Sequence, residues 1–161
     1  MTKQKVFTTL LITAFVLVFG ALGYYRDVLF RHVNSQISVL EYGSDAFGFW
    51  WGTGFLENFT LEGLYRFKWV GTIVFAFMNF GLSLMVLLVW FRSKKNVVLL
   101  SLMYAAVFFM AAIGMLIGKL LPGAAEYMYY FSRWLMGAAQ SPLLVMILLV
   151  LFFSPLRHKV H

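Results

Sequence analysis

Few side chains in this sequence can do chemistry, and the most suggestive of them lie in Tyr129-Tyr130-Phe131-Ser132-Arg133-Trp134-Leu135-Met136-Gly137-Ala138-Ala139-Gln140-Ser141-Pro142. Arg133 and Gln140 are seven residues apart with Gly137 between them, so all three fall on one face of a helix. Pro142 lacks an N–H and clashes with the Ala138 carbonyl, which predicts a kink there. A freed carbonyl, the Gln140 amide, the Ser141 hydroxyl and Arg133 would then converge on one polar spot. That spot reads as a pocket for an anionic headgroup, with Arg133 as its bidentate clamp. The alternative is an arginine that snorkels to the interface while the polar patch pins the kink.

A second set comprises Arg26, Arg31, His32 and Arg66, expected at about the membrane level of Arg133. Several cations at one level would hold a phosphate, and Asp27 or Glu41 as base with His32 as acid would complete an acid–base site. Catalysis of that kind needs two titratable groups whose environments push their pKa values apart. Asp27, however, reads as satisfied by an i,i+4 pair with Arg31. No catalytic residue is assigned on this basis. Cysteine is absent, which removes thiolate nucleophiles, disulfides and Cys-based metal sites together. His158 and His161 in the basic tail do not form a metal set with the distant His32. Neither a metal nor a cofactor is expected.

The elements that position these residues follow from composition. The 161 residues are 62% hydrophobic and only 12% charged, with a mean hydropathy of +0.84. A water-soluble fold of this size could not hide so much apolar surface. Four uncharged runs, Val6–Tyr25, Trp69–Phe91, Asn96–Gly118 and Trp134–Leu156, lie between basic residues. Each is long enough to cross roughly 30 Å of hydrocarbon as a helix, and no other open backbone form is tolerated there. The fold class is therefore all-α: a single polytopic membrane domain, residues 1–161, with four transmembrane helices at about 6–25, 69–91, 96–118 and 128–154. The first run exceeds the length of a signal-peptide core and lacks a convincing cleavage site, so it reads as a retained span.

Between the first two spans lies an outward lobe, 26–68. Leu29, Val33, Ile37 and Leu40 share one helical face, and Asp27, Arg31, Asn34, Ser38 and Glu41 share the other. This predicts an amphipathic helix lying on the membrane surface. The aromatics Phe47, Phe49, Trp50, Trp51 and Phe55 follow among glycines. They are expected to enter the headgroup zone rather than form a core of their own, with Trp50 and Trp51 at the depth of Trp69 and Trp134. Thr60 with Glu62 marks a helix start near Leu61. The net charge of +7 is scattered at segment ends, which suits contact with anionic lipid rather than nucleic acid. The undiluted basic residues of both termini and of the Arg92–Lys95 turn place both termini in the cytoplasm of a bacterial inner membrane.

No charged residue lies mid-span, which argues against a pump, coupled transporter or channel. Asn79 reads as an interhelical hydrogen bond. Gly114 and Gly118, and Gly137 with Ser141, form small-x-x-x-small pairs suited to close helix packing. The first span, then Tyr25-Arg26-Asp27-Val28-Leu29-Phe30, and later Tyr130–Gly137 with Gln140-Ser141-Pro142, resemble small four-span bacterial membrane proteins of unknown activity, some of them exosortase-associated. That resemblance implies an accessory membrane protein and no established reaction. An exosortase itself is excluded, because its nucleophile is a cysteine. The expected function is a non-catalytic membrane subunit or accessory factor, whose partners are membrane lipids and other membrane-protein subunits or a second copy. The alternative is an anionic-lipid or polyprenyl-phosphate binding protein, with an enzyme as its extreme form, using Arg26, Arg31, Arg66, Arg133, Gln140 and Ser141.

Overall fold

The computed structural model describes residues 3–43, 52–90 and 94–153. Every regular element among the described residues is helical: α1 (Lys3–Tyr42), a 3-10 turn (Gly54–Asn58), α2 (Leu61–Trp90), α3 (Lys94–Leu120), a second 3-10 turn (Pro122–Ala124), α4 (Ala125–Ala139) and α5 (Leu143–Phe153). Three helices are long and apolar enough to cross a membrane, and four spans result if α4 and α5, bent by 65° at their break, form one. The packing groups the chain into two compact units, 1–75 and 76–161, with the seam inside α2.

The first unit corrects the reading of residues 27–41. They are not a separate surface helix but the continuation of α1, which runs unbroken for 40 residues. No proline or glycine stands between Gly23 and Gly43, so nothing stops the helix once the first span has nucleated it. It ends at Gly43, whose φ of 64° and N–H to the Val39 carbonyl at 3.0 Å make the left-handed glycine cap. The apolar stripe is real, but its partner is protein. Leu29, Val33 and Ile37 are buried with Leu56, Leu64 and Phe75, with Phe30, Phe59 and Phe67 against them. Leu40 is left exposed.

The lobe therefore has a packed core, with Phe55 exposed at its edge; Phe47 and Phe49 lie outside the described residues. Phe55, Phe59 and Phe67 form a mutual edge-to-face cluster with centroids 5.6 to 6.1 Å apart, the geometry that aromatic quadrupoles favour. Thr60 starts α2 as expected: its hydroxyl accepts the Gly63 N–H at 3.2 Å. Two side-chain bonds tie α1 to α2, the Tyr65 hydroxyl donating to Glu41 at 2.6 Å and Lys68 donating to Asn34 at 2.7 Å. Asp27 pairs with Arg26 at 2.7 Å and not with Arg31.

In the second unit, the α2 segment from Ala76 packs against α3 through Phe77 on Phe108 and Phe80 on Tyr104. The seam between α3 and α4 is tighter. A Cβ at Gly114 would stand 2.5 Å from Ser132 Oγ, and one at Gly118 would stand 3.1 Å from the Met128 Cβ. Both glycines thus allow close approach within the chain. Ser132 is buried and donates to the Ala111 carbonyl at 2.9 Å. Because the native chain has no cysteine, this seam is directly testable. Gly118→Cys with Met128→Cys places two sulfurs within disulfide reach, and mild oxidation should close them inside one chain, raising its electrophoretic mobility. Absence of that product would contradict the α3–α4 register.

Candidate functional site

The site is built at the break between α4 and α5. Pro142 cannot donate to the Ala138 carbonyl, and its ring crowds that oxygen, so α4 stops at Ala139. The loose groups are then satisfied locally. The Ser141 hydroxyl donates to the Ala138 carbonyl at 2.9 Å and accepts the Leu143 N–H at 3.4 Å. The Ser141 N–H also reaches the Ala138 carbonyl, at 3.2 Å. Ser141 is thereby a hinge pin, and the carbonyl expected to be free is doubly engaged.

The two faces of α4 divide their work by helical spacing. Ser132, Leu135 and Ala139 are buried. Tyr130, Arg133, Trp134 and Gly137 recur at i, i+3, i+4 and i+7 on the outward face. Together with Ala138, Ser141 and Leu143 they line an open groove of about 650 Å³. The 65° bend brings the start of α5 across one end. Gly137 forms part of its floor, since a Cβ there would meet nothing within 4 Å. It packs against no described element and serves as space, unlike Gly114 and Gly118.

The groove is chemically one-sided. Arg133 is its sole ionisable cation, and its lining holds no carboxylate. Arg133 is exposed and forms no hydrogen bond or ion pair with any described residue. The expected convergence is met in part: Arg133, Gly137 and Ser141 share the groove, whereas Gln140 is buried at 8% exposure and does not line it. Tyr130 also belongs to the site, a role that its residue type did not announce. Its signal was its position three residues before Arg133 and seven before Gly137. Trp134, expected only as an interfacial anchor, is a groove wall.

The other cations lie in the first unit. Arg66 is held by Glu62 at 2.6 Å and Arg26 by Asp27, while Arg31 is exposed without an ion pair among the described residues. His32 is buried, with Nδ1 2.8 Å from the Val28 carbonyl, so it is bound to its own helix. Asn79 is buried in the second unit. Trp69 is half exposed on α2. Trp50 and Trp51 lie outside the described residues. Among the described residues no group of His, Cys, Asp or Glu gathers as a metal site would require. No protein-family model matches this chain, and no curated protein or solved structure matches it either.

The contrast between glycines yields an opposite-sign test. Gly137→Ala adds a methyl group in open space and gains helix propensity, so stability in detergent should rise by up to about 1 kcal/mol. Gly114→Ala gains the same propensity but drives a methyl group against Ser132, and should lower stability by about 1–3 kcal/mol. Denaturant titration followed by circular dichroism reads both. Equal shifts of one sign would refute the assignment of the two faces.

Proposed function

We propose that this chain is a non-catalytic integral membrane protein that holds an anionic lipid headgroup or polyprenyl phosphate in the groove at the α4–α5 bend. One observation carries the reading: Arg133 stands on that groove with its guanidinium uncommitted. A guanidinium of this kind pairs with phosphate bidentately, and the low dielectric near lipid strengthens the bond. The aromatic neighbours Tyr130 and Trp134 suit the headgroup boundary. Residues 26–68 then form the outward lobe, its described part packed between the second half of α1 and the start of α2.

Retention of lipid through purification tests this directly. Wild-type protein extracted in mild detergent should carry anionic lipid. Arg133→Ala should retain at least about tenfold less, the factor expected on losing a charge-assisted contact. Equal lipid in the two proteins would leave Arg133 as a snorkelling side chain and end the proposal.

The membrane we assign is a bacterial inner membrane, with α4 and α5 as one broken span and both termini cytoplasmic. The basic residues Lys3, Lys5, Lys94, Lys95, Arg157 and Lys159 support this orientation. Reporter fusions that fluoresce only in the cytoplasm should be bright at either terminus. A bright amino-terminal fusion with a dark carboxy-terminal one would mean three spans.

An accessory role within a larger membrane complex is a second reading, with its own observation. In the first unit the packed core begins at Leu22, and the preceding part of α1 exposes Leu10, Val16 and Leu17. Within that unit these three side chains are open, so lipid, the rest of the chain or another subunit covers them. Photo-crosslinking at Val16 singles out another subunit by a defined protein adduct between chains.

A further inference from the structure

The groove offers more donors than Arg133 alone. Tyr130 and Trp134 flank Arg133 at i−3 and i+1, and both are largely exposed, at 57% and 69%. The Tyr130 hydroxyl and the Trp134 indole N–H make no hydrogen bond to a described residue, and neither does the guanidinium. Ser141, the other polar side chain of the lining, already spends its proton on the Ala138 carbonyl. Three free donors thus face a groove that presents no carboxylate. Indole is a donor only, and a guanidinium never accepts.

Resting on the reading above, we propose that Tyr130 and Trp134 are specificity-determining residues, and that they select an anionic lipid whose headgroup offers hydrogen-bond acceptors beyond its phosphate. Arg133 takes the two non-ester oxygens of the lipid phosphate, while the Tyr130 hydroxyl and Trp134 N–H donate to headgroup oxygens beyond it, such as glycerol hydroxyls, which a trimethylammonium cannot replace. An anionic phosphodiester such as phosphatidylglycerol matches that set. The ammonium of a zwitterionic headgroup would find three donors, no acidic partner and the like charge of Arg133. The stretch beyond, Gly137, Ala138 and Leu143, presents only carbon and space to a chain, and the exposed Met146, Ile147 and Val150 continue the apolar face along α5. Head and tail therefore have separate seats, arranged along α4 toward the bend. A phosphate lacking a tail would fill the first seat only.

Isosteric variants separate these parts. Tyr130→Phe removes one hydroxyl, and Trp134→Phe removes the N–H while leaving a ring. Both side chains lie off the face that packs on α3, so the fold should survive. In nanodiscs of phosphatidylcholine with a minor share of phosphatidylglycerol, native mass spectrometry counts the lipids that stay bound. Wild-type protein should enrich phosphatidylglycerol, and each isosteric variant should lower that enrichment by about threefold to tenfold. If Arg133→Ala abolishes enrichment while both aromatic variants keep it, the selectivity role is overturned and the Arg133 site stands. If wild type shows no enrichment, both readings fall. Competition separates the source of the phosphate: dodecyl phosphate should displace the bound lipid, and inorganic phosphate at equal concentration should not. Equal displacement by the two would overturn the tail seat and leave a site for free phosphate.

Discussion

Hydrocarbon supplies no hydrogen bonds, and the rest of this structure follows from that constraint. Each bare N–H or C=O left there costs several kcal/mol, so a chain this apolar must be helical wherever it crosses. Any interruption must bring its own partners. The break at Gln140–Pro142 is such an interruption, and Ser141 closes it by serving the Ala138 carbonyl on one side and the Leu143 N–H on the other. That local repair allows α5 to leave α4 at 65°, and the angle creates the groove. The polar residue most often read as a ligand-binding group at such a kink is here consumed in holding the kink. The donors left open on the groove stand two to three turns earlier, on Tyr130, Arg133 and Trp134.

Within each unit a different force holds the helices. Forty residues at 1.5 Å each make α1 about 60 Å long, roughly twice a hydrocarbon thickness. Wherever its core stands in water the hydrophobic effect operates, and buried residues such as Leu29, Val33, Leu56 and Leu64 then each contribute about 1.5–3 kcal/mol. Inside the bilayer that force vanishes, since lipid tails are as apolar as leucine. Close contact has to replace it, and Gly114 and Gly118 bring the α3 and α4 backbones together for that purpose. The exposed Arg66–Glu62 pair adds at most a few tenths of a kcal/mol.

Much of this was legible in the sequence because charge punctuates it. Basic residues bracket the apolar runs, Thr60 announces α2, and Pro142 announces the break. Less was legible where one signal had two outcomes. The Leu29–Val33–Ile37 stripe is equally the signature of a helix lying on lipid and of one packed on protein, and only the position of Leu56 and Leu64 decides between them. The small residues show the same ambiguity. Gly114, Gly118 and Gly137 look alike in sequence, yet two serve contact and one serves space, because the face each occupies depends on which neighbour arrives. Gln140 and Arg133 share a period of seven, but Pro142 ends α4 at Ala139 and leaves Gln140 as its non-helical cap, so helical spacing ceases to apply there.

Depth and access determine what an unpaired polar group means. Ser83 and Tyr104 also carry hydroxyls without a hydrogen bond of standard geometry, and both are almost fully buried, at 0% and 4% exposure. They approach one another across the α2–α3 seam, where a small rotation of either hydroxyl lets one serve the other. No ligand can reach them without parting the helices, so their place is in packing specificity. Arg133, Tyr130 and Trp134 differ in access rather than in chemistry. Each donor stands on an open face, so leaving it unpaired within the chain costs little. A donor that is cheap to leave open, on a groove with room beside it, is free to spend its full bond energy on a visitor. That asymmetry, more than the presence of an arginine, is what sets the α4–α5 bend apart from the buried hydroxyls of Ser83 and Tyr104 and supports the proposal of a ligand there.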